Sequence, residues 1–478
     1  MRYWWRIYLL FIFKQIFMNL DASEFTSDSL SDGEVKEIFR EISARSRGKN
    51  TKLSEFATSD DEALRQKPDE ERVTGHFYER RPYDVDVKRV LFSNEFERLA
   101  GKTQCVTSPG RDHISNRMVH SLRVSETAAS IARSIGANED LARTIGLAHD
   151  IGHAPLGHMG ELLISSAIRG MGNDVFKDLG VFKHNIQGVN VVDRVSSRRG
   201  FPKGSGLNLT DQVRHGIVSH DGETDKGMVS PNRSLSPQGL NADIDRYIDG
   251  VIAESGNLVS SFDMSGNDSV TKFMETVSSA TKKVQIVPAT LEGCIVLLVD
   301  TLHYAPEDFE DMISLGVAKR SDLPLNVAQR LGTNSGDIMN SLIIDLLVHS
   351  YGKDVIGYSK EVFEILKDFK RNFLYPRYKI VNSWMDSTAD DPRFVGPKGK
   401  LLERTNFLFQ RFYTAIKDPS SHPNSPIVKN YLEDRNRFTY INELKVRYGE
   451  SVLVQVVVDY VAGFTDRFFF EESEKMFE

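Results

Sequence analysis

The sequence predicts a mostly α fold. Apolar residues recur at helical spacing through several long stretches, strand-like alternation is scarce, and capping residues stand where periodic stretches begin. The 478 residues are 40% hydrophobic and 27% charged, an ordinary globular composition that excludes a disordered or collagen-like chain. A chain this long can bury a large core without disulfide or metal staples. At roughly 150 residues per domain it has room for about three domains, or for one large α domain with insertions. The net charge of −7 excludes a surface that grips nucleic acid everywhere, although a local basic groove is compatible with it. Cys105 and Cys294 are the only cysteines. Two thiols make neither a disulfide framework nor a Cys-based zinc site, so a reducing, cytoplasmic setting is expected.

The uncharged run Ile7–Phe13 has 7 residues, far short of the ~20 that span a bilayer, so no stable membrane span is expected. Arg2 and Arg6 precede it as in a signal peptide, but no small-residue cleavage site follows and Lys14 interrupts the run. The segment reads foremost as a start placed too early, with translation beginning at Met18. A short amphipathic surface anchor comes next, and an export signal last. Residues 19–75 are polar and acidic and read as a loosely ordered leader with one or two short helices.

From Asp84 the chain becomes dense in apolar residues, with Val87, Val90, Leu91, Phe92, Phe96 and Leu99 on one helical face. Residues 107–116 read as a loop. Residues 117–136 read as a helix burying Val119, Leu122, Ala129, Ile131 and Ala132. Asn138 is an N-cap with Glu139 and Asp140 in the first turn. Leu141, Ile145 and Ala148 face the core, which leaves His149 and Asp150 at the helix end. Gly152, Pro155 and Gly157 prevent simple continuation, so His153 and His158 fall on a turn or on the start of a new helix. Residues 196–210 and 221–290 read as loops or an insertion. Residues 291–313 and 339–375 read as long helices, 377–440 as a small irregular subdomain, and 451–472 as a closing helix or helix pair. The expected units are the 1–75 leader, a 76–315 core with an insertion around 221–290, and a 316–478 helical region completing the fold.

Most of the twelve histidines fall between His113 and His220. The segment His149–Glu161 holds three histidines and two carboxylates in thirteen residues. Imidazole and carboxylate together suit Mn, Mg, Fe or Zn centres without thiolate. A lone His-Asp pair is usually incidental, and a lone His120 is usually a satisfied core histidine. Packed with Gly and Pro beside a second His-bearing segment, they point to a metal site, with His120 and Asp300 as further ligand candidates.

Five stretches then resemble a known family. They are Arg89–Leu99 with Lys102-Thr103-Gln104, Arg117–Val124, His149–Glu161, Phe182–Gln187 and Asp300–Asp311, with an echo in Asp459–Asp466. Their order, H…HD…D, resembles the HD-domain metal phosphohydrolases, and the full set resembles the deoxynucleoside triphosphate triphosphohydrolases, the dGTPase-like branch. The resemblance covers roughly residues 84–470 and implies an HD-domain helical core with peripheral helices. It implies one divalent ion, Mn or Mg foremost and otherwise Fe, Co, Ni or Zn, held by His120, His149, Asp150 and Asp300. It makes His158 and Glu161 a catalytic pair, has His153 and His184 touch the triphosphate, and aims Arg117 at phosphate oxygens. It also implies that Tyr304 packs on the sugar while Asp308 and Gln104 bond its 3′-hydroxyl. Tyr304 and Asp308 follow Asp300 at i+4 and i+8 on one helix face. Water attack on the α-phosphorus would give deoxynucleoside and tripolyphosphate, dGTP being the favoured substrate. The resemblance also implies a homo-oligomer, hexamer or tetramer, and an allosteric nucleotide or single-stranded DNA as partner.

Four positions depart from that pattern. Thr301 stands for an Asp, His303 for a small residue, Leu156 for a Phe and Met159 for a small residue. None removes a ligand. The competing readings are an HD phosphohydrolase acting on another nucleotide and a nucleotide-sensing or single-stranded-DNA-binding protein on the same fold. The long framework with Gln104, Tyr304 and Asp308 speaks against the first. The complete ligand set with His158 and Glu161 speaks against the second. The basic run Arg194, Arg198, Arg199 and Lys203 reads as a solvated loop rather than a nucleic-acid contact.

Overall fold

A computed structural model describes residues 30–68, 80–104, 115–221, 227–259, 276, 283–385 and 400–476. The readings of the N-terminal start, of Cys105 and of the loop at 107–114 lie outside the described residues. Among those described, the chain is almost entirely helical, as predicted. The sheet is a two-residue antiparallel pairing, with Met228 opposite Gly357 and Val229 opposite Ile356.

Three helices form the centre: Arg117–Ile135, Glu139–Ala148 and Leu291–Ser314, each packed on the other two. Their starts follow from side-chain capping. Asn116 Oδ1 accepts from the Val119 amide at 3.0 Å, Asn138 Oδ1 from Leu141 at 3.2 Å and Thr290 Oγ1 from Gly293 at 3.0 Å. Gly136, in the left-handed conformation at φ 82°, ends the first helix and lets the chain double back. The 117–135 helix buries Val124, Ala128, Ala129, Ile131 and Ala132, whereas Leu122 is exposed and Val119 half-buried. The core-facing side is therefore rotated from the predicted one: 124, 128, 131 and 135 face the core. Before it, Pro82–Leu91, Asn94–Arg98 and the 3-10 turn Leu99–Gly101 bury Val87, Val90, Phe96 and Leu99, but the break at Phe92-Ser93 leaves Phe92 73% exposed.

Several expectations are corrected. Residues 30–68 are not loosely attached. The capping box of Ser31 and Glu34 opens the Asp32–Ser46 helix, which buries Val35 and Ile42, and Glu292 accepts hydrogen bonds from the Thr58 amide and hydroxyl. Leu240–Val259 is a 20-residue helix with Ile244, Tyr247 and Val251 buried, so the 221–290 stretch is not simply loop; polar residues on its outer face masked that periodicity. The long helix expected over 339–375 is Ser335–Ser350, a turn at Gly352 (φ 70°), the short strand Ile356–Gly357 and Lys360–Asp368. Within 377–440, Leu401–Lys417 is a regular helix whose Leu408, Phe409 and Phe412 belong to the same hydrophobic core as Val124 and Ile145, so no separate subdomain core exists among the described residues. The closing pair is Val452–Ala462 and Asp466–Glu474.

The turn after Ala148 is pressed against the start of the His184–Asn190 helix. A side chain at Gly152 would collide with the Gly188 backbone and the His184 carbonyl. Gly152→Ala is therefore expected to destabilise the fold by on the order of 3 kcal/mol, read as a lower urea midpoint with an unchanged slope. An unchanged midpoint would show that these two segments are not in close contact.

Candidate active site

The 139–148 helix runs out at His149, whose Nδ1 donates to the Gly146 carbonyl at 2.7 Å. That bond fixes the tautomer, so the buried Nε2 presents a lone pair and has no hydrogen-bond partner. His120, one turn into the 117–135 helix, places Nε2 2.9 Å from Asp300 Oδ1. His149 Nε2 lies 3.5 Å from Asp150 Oδ1 and 3.7 Å from Asp300 Oδ1. The structure thus brings the four sequence-predicted ligands together. Adjacent ligands ~2.1 Å from one ion stand roughly 3 Å apart, so two imidazoles and two carboxylates at these separations suit a divalent ion. Burial opposes charge on His120, but Asp300 and Glu307 beside it push its pKa up to about 10. Burial likewise opposes the Asp150 carboxylate, which His149 and Arg117 hold well below the usual range. The centre attracts positive charge, as a proton or as a cation.

A second cluster adjoins the first. Leu156 (φ 65°) and Gly157 (φ 61°) are both left-handed and swing the chain into the Gly157–Gly170 helix. The non-glycine Leu156 carries strain there of roughly 1–2 kcal/mol. Its amide is tied to Asp466 Oδ1 at 2.8 Å. That turn sets His158 on the helix's first residues with its side chain 74% exposed, while Glu161 one turn later is buried. Glu161 Oε1 meets His158 Nδ1 at 2.7 Å and His184 Nδ1 at 3.0 Å. Burial favours neutral Glu161, yet His184 and His158 hold its pKa well below the usual range. His153 stacks on His184 with ring centres 3.9 Å apart and reaches Asp150 Oδ1 at 3.3 Å. Burial keeps His153 neutral.

Three predicted residues have partners within the protein. Arg117 is buried, and Nη1 donates to Asp150 Oδ2 at 2.7 Å. One arm of its fork thus holds the carboxylate of a predicted ligand. Nη2 reaches the Gln104 carbonyl at 3.4 Å. Asp308 accepts from the Tyr378 hydroxyl, and burial pushes its pKa up to about 6. Tyr304 is half-buried, with Lys370 Nζ 5.3 Å from its ring centre. In the basic run, Arg198 is buried against the Phe201 ring at 3.7 Å and is not part of a solvated loop, whereas Arg199 and Lys203 are exposed.

Sequence reasoning assigned no role to His220. It ends the Asp211–Ser219 helix as His149 ends its own, with Nδ1 donating to Ile217 three residues back at 2.6 Å. Its Nε2 faces His184 Nε2 at 3.0 Å. His184 faces a carboxylate at Nδ1 and this lone pair at Nε2, so it carries both protons as an imidazolium. Burial opposes that charge, and Glu161 raises the His184 pKa. The signal was available: His220-Asp221 is a second His-Asp pair after an apolar helix. Asp221 is bound to Lys183 at 2.7 Å.

The HD domain family matches residues 117–249, a span that includes the first three ligands and both clusters' histidines up to His220. The chain thus carries an HD domain over that span. It is 26% identical over 400 residues to a deoxyguanosinetriphosphate triphosphohydrolase-like protein of Caldanaerobacter subterraneus subsp. tengcongensis, covering 83% of this chain and 85% of that one. Likewise named proteins of Clostridium tetani and Parvibaculum lavamentivorans are 27% and 28% identical, over 80% and 84% of this chain and 81% and 91% of theirs. Together these likenesses support an HD-domain, deoxynucleoside triphosphate triphosphohydrolase-like family for the chain. Among the described residues, no helix is long and apolar enough to cross a membrane.

Behind the site, buried Lys102 donates to the His153 and Ala462 carbonyls. Burial pushes its pKa from 10.5 down to about 7. A folded value below the unfolded one means that Lys102 contributes most above about 10.4, where it is neutral in both states, and that this contribution is lost as pH falls towards about 7. The stability advantage of the native protein over Lys102→Met should therefore narrow from about pH 10 to about pH 7 in urea titrations. A gap that is constant across that window would contradict a neutral buried amine.

Proposed function

We propose that the protein hydrolyses deoxynucleoside triphosphates at the α-phosphate in a divalent-metal-dependent reaction. The observation that carries this is one buried imidazole–carboxylate centre lying beside an exposed His158 held by a buried Glu161. His120, His149, Asp150 and Asp300 would hold the ion, with Mn or Mg preferred. Bound there, an ion supplies Lewis-acid polarisation of a phosphate oxygen and acidifies water.

The other roles belong to the chain's own groups. Imidazolium His184 lends positive charge to the side of the site that takes the anionic triphosphate, and neutral His153 stacks on it. Arg117 acts through Asp150, fixing that carboxylate. A water oxygen bonds to the α-phosphorus, the bond to O5′ breaks, and O5′ takes up a proton. His158, oriented by Glu161, moves protons at that phosphate. Asp308, with its second oxygen buried and without a hydrogen-bond partner, receives the sugar 3′-hydroxyl together with Gln104, and Tyr304 packs on the sugar. The favoured base is guanine, the base in the relatives' names. The reading extends to a cytoplasmic homo-oligomer, tetramer or hexamer, with an allosteric nucleotide or single-stranded DNA as a further partner.

The test is product identity. Each dNTP and rNTP is incubated with Mn²⁺ or Mg²⁺, and products are resolved by ion exchange. Tripolyphosphate plus deoxynucleoside from dNTPs alone is the expected outcome. Pyrophosphate or inorganic phosphate as product would move the protein to another HD phosphohydrolase activity. His149→Ala should lose both turnover and bound metal. His158→Ala should keep the metal and lose about 10²–10⁴-fold in kcat.

A further inference from the structure

His120 is gripped at both ends by one helix. Asp300 Oδ1 lies 2.9 Å from its Nε2, and Glu307 Oε2, two turns further along Leu291–Ser314, lies 3.8 Å from its Nδ1. Nδ1 and Oε2 are both buried, and neither has a hydrogen-bond partner. Two orphaned groups of opposite character facing each other in a protein interior are one small shift from a hydrogen bond, and each alone is costly to leave unmet. The other Glu307 oxygen is already held. Arg123 Nη1 donates to Oε1 at 2.9 Å, and His303 Nδ1 lies 3.4 Å from it. His303 is fixed in turn, its Nε2 2.8 Å from the Thr127 hydroxyl. These residues form one seam, with His120, Arg123 and Thr127 on one helix and Asp300, His303 and Glu307 on the other, both at spacing 0, 3, 7.

We propose that Glu307, clamped by His303 and Arg123, is the positioning residue that orients His120 and sets the affinity of the metal centre. The inference rests on the metal-site reading above. A ligating imidazole must donate its other N–H, and the partner fixes ring orientation, tautomer and basicity. With Nε2 committed to an ion, Nδ1–H has Glu307 Oε2 as the acceptor facing it. The proposal also accounts for His303, whose imidazole braces Glu307 from the same helix one turn away.

The experiment measures Mn²⁺ binding to the chelated full-length protein by calorimetry, together with thermal unfolding in EDTA. Glu307→Gln is expected to weaken Mn²⁺ binding about 10–100-fold while unfolding in EDTA stays near that of the native protein. Arg123→Gln, altered at a half-exposed position that the fold tolerates, is expected to weaken binding several-fold, and it carries the test should Glu307→Gln fail to fold. Mn²⁺ affinity within twofold of native in the folded variants overturns the proposal. So does a loss of affinity that only follows a matching loss of stability in EDTA, since that is a structural role. If the native protein itself binds no Mn²⁺, the metal-site reading fails first and this inference falls with it.

Discussion

Asp150, buried, and Asp300, partly exposed, approach the same imidazole nitrogen of His149, and two carboxylates held so close inside a protein require compensating positive charge. Much of the surrounding architecture answers that constraint. Arg117 is wholly buried against Asp150, His120 lies against Asp300, and Arg123 reaches Glu307 behind His120. Three central helices meet at this point and between them carry the carboxylates and the groups that compensate them. The 117–135 helix brings the cationic side chains, the end of the 139–148 helix brings His149 and Asp150, and the 291–314 helix brings Asp300 and Glu307. A divalent ion in the centre would complete the balance that the side chains begin.

The turn carrying His153 and His158 depends on the C-terminal end of the chain. Asp466 accepts from the Leu156 and Thr103 amides, and Lys102 joins the His153 and Ala462 carbonyls. Asp459, one helix earlier, is buried and accepts from Gln187, Asn190, Gln455 and Tyr440. These contacts link segments hundreds of residues apart to one strained loop. They explain why the Asp459–Asp466 stretch echoes the family pattern although it supplies no group to the reacting atoms.

Most of the helical framework was legible because periodicity and caps are local properties. Asn138 as N-cap, the turn after Ala148 and the closing helix pair all follow from residues within a few positions of each other. Leu122 and Phe92 were misjudged because an apolar residue at helical spacing does not show which edge of the apolar face meets a neighbour. The Leu240–Val259 helix was hidden by its polar outer face, and the break at Gly352 by the apolar residues on both sides.

The sequence by itself determined the types and order of the candidate ligands and the turn that sets His149 and Asp150 at a helix end, since these rest on short-range spacing and side-chain chemistry. Tertiary structure alone decided the pairing. It gave Arg117 to Asp150, set His220 against His184 and laid Glu307 behind His120. Such partners come from different helices, and which side chains meet across a helix interface depends on rotation and register fixed by packing of the whole core.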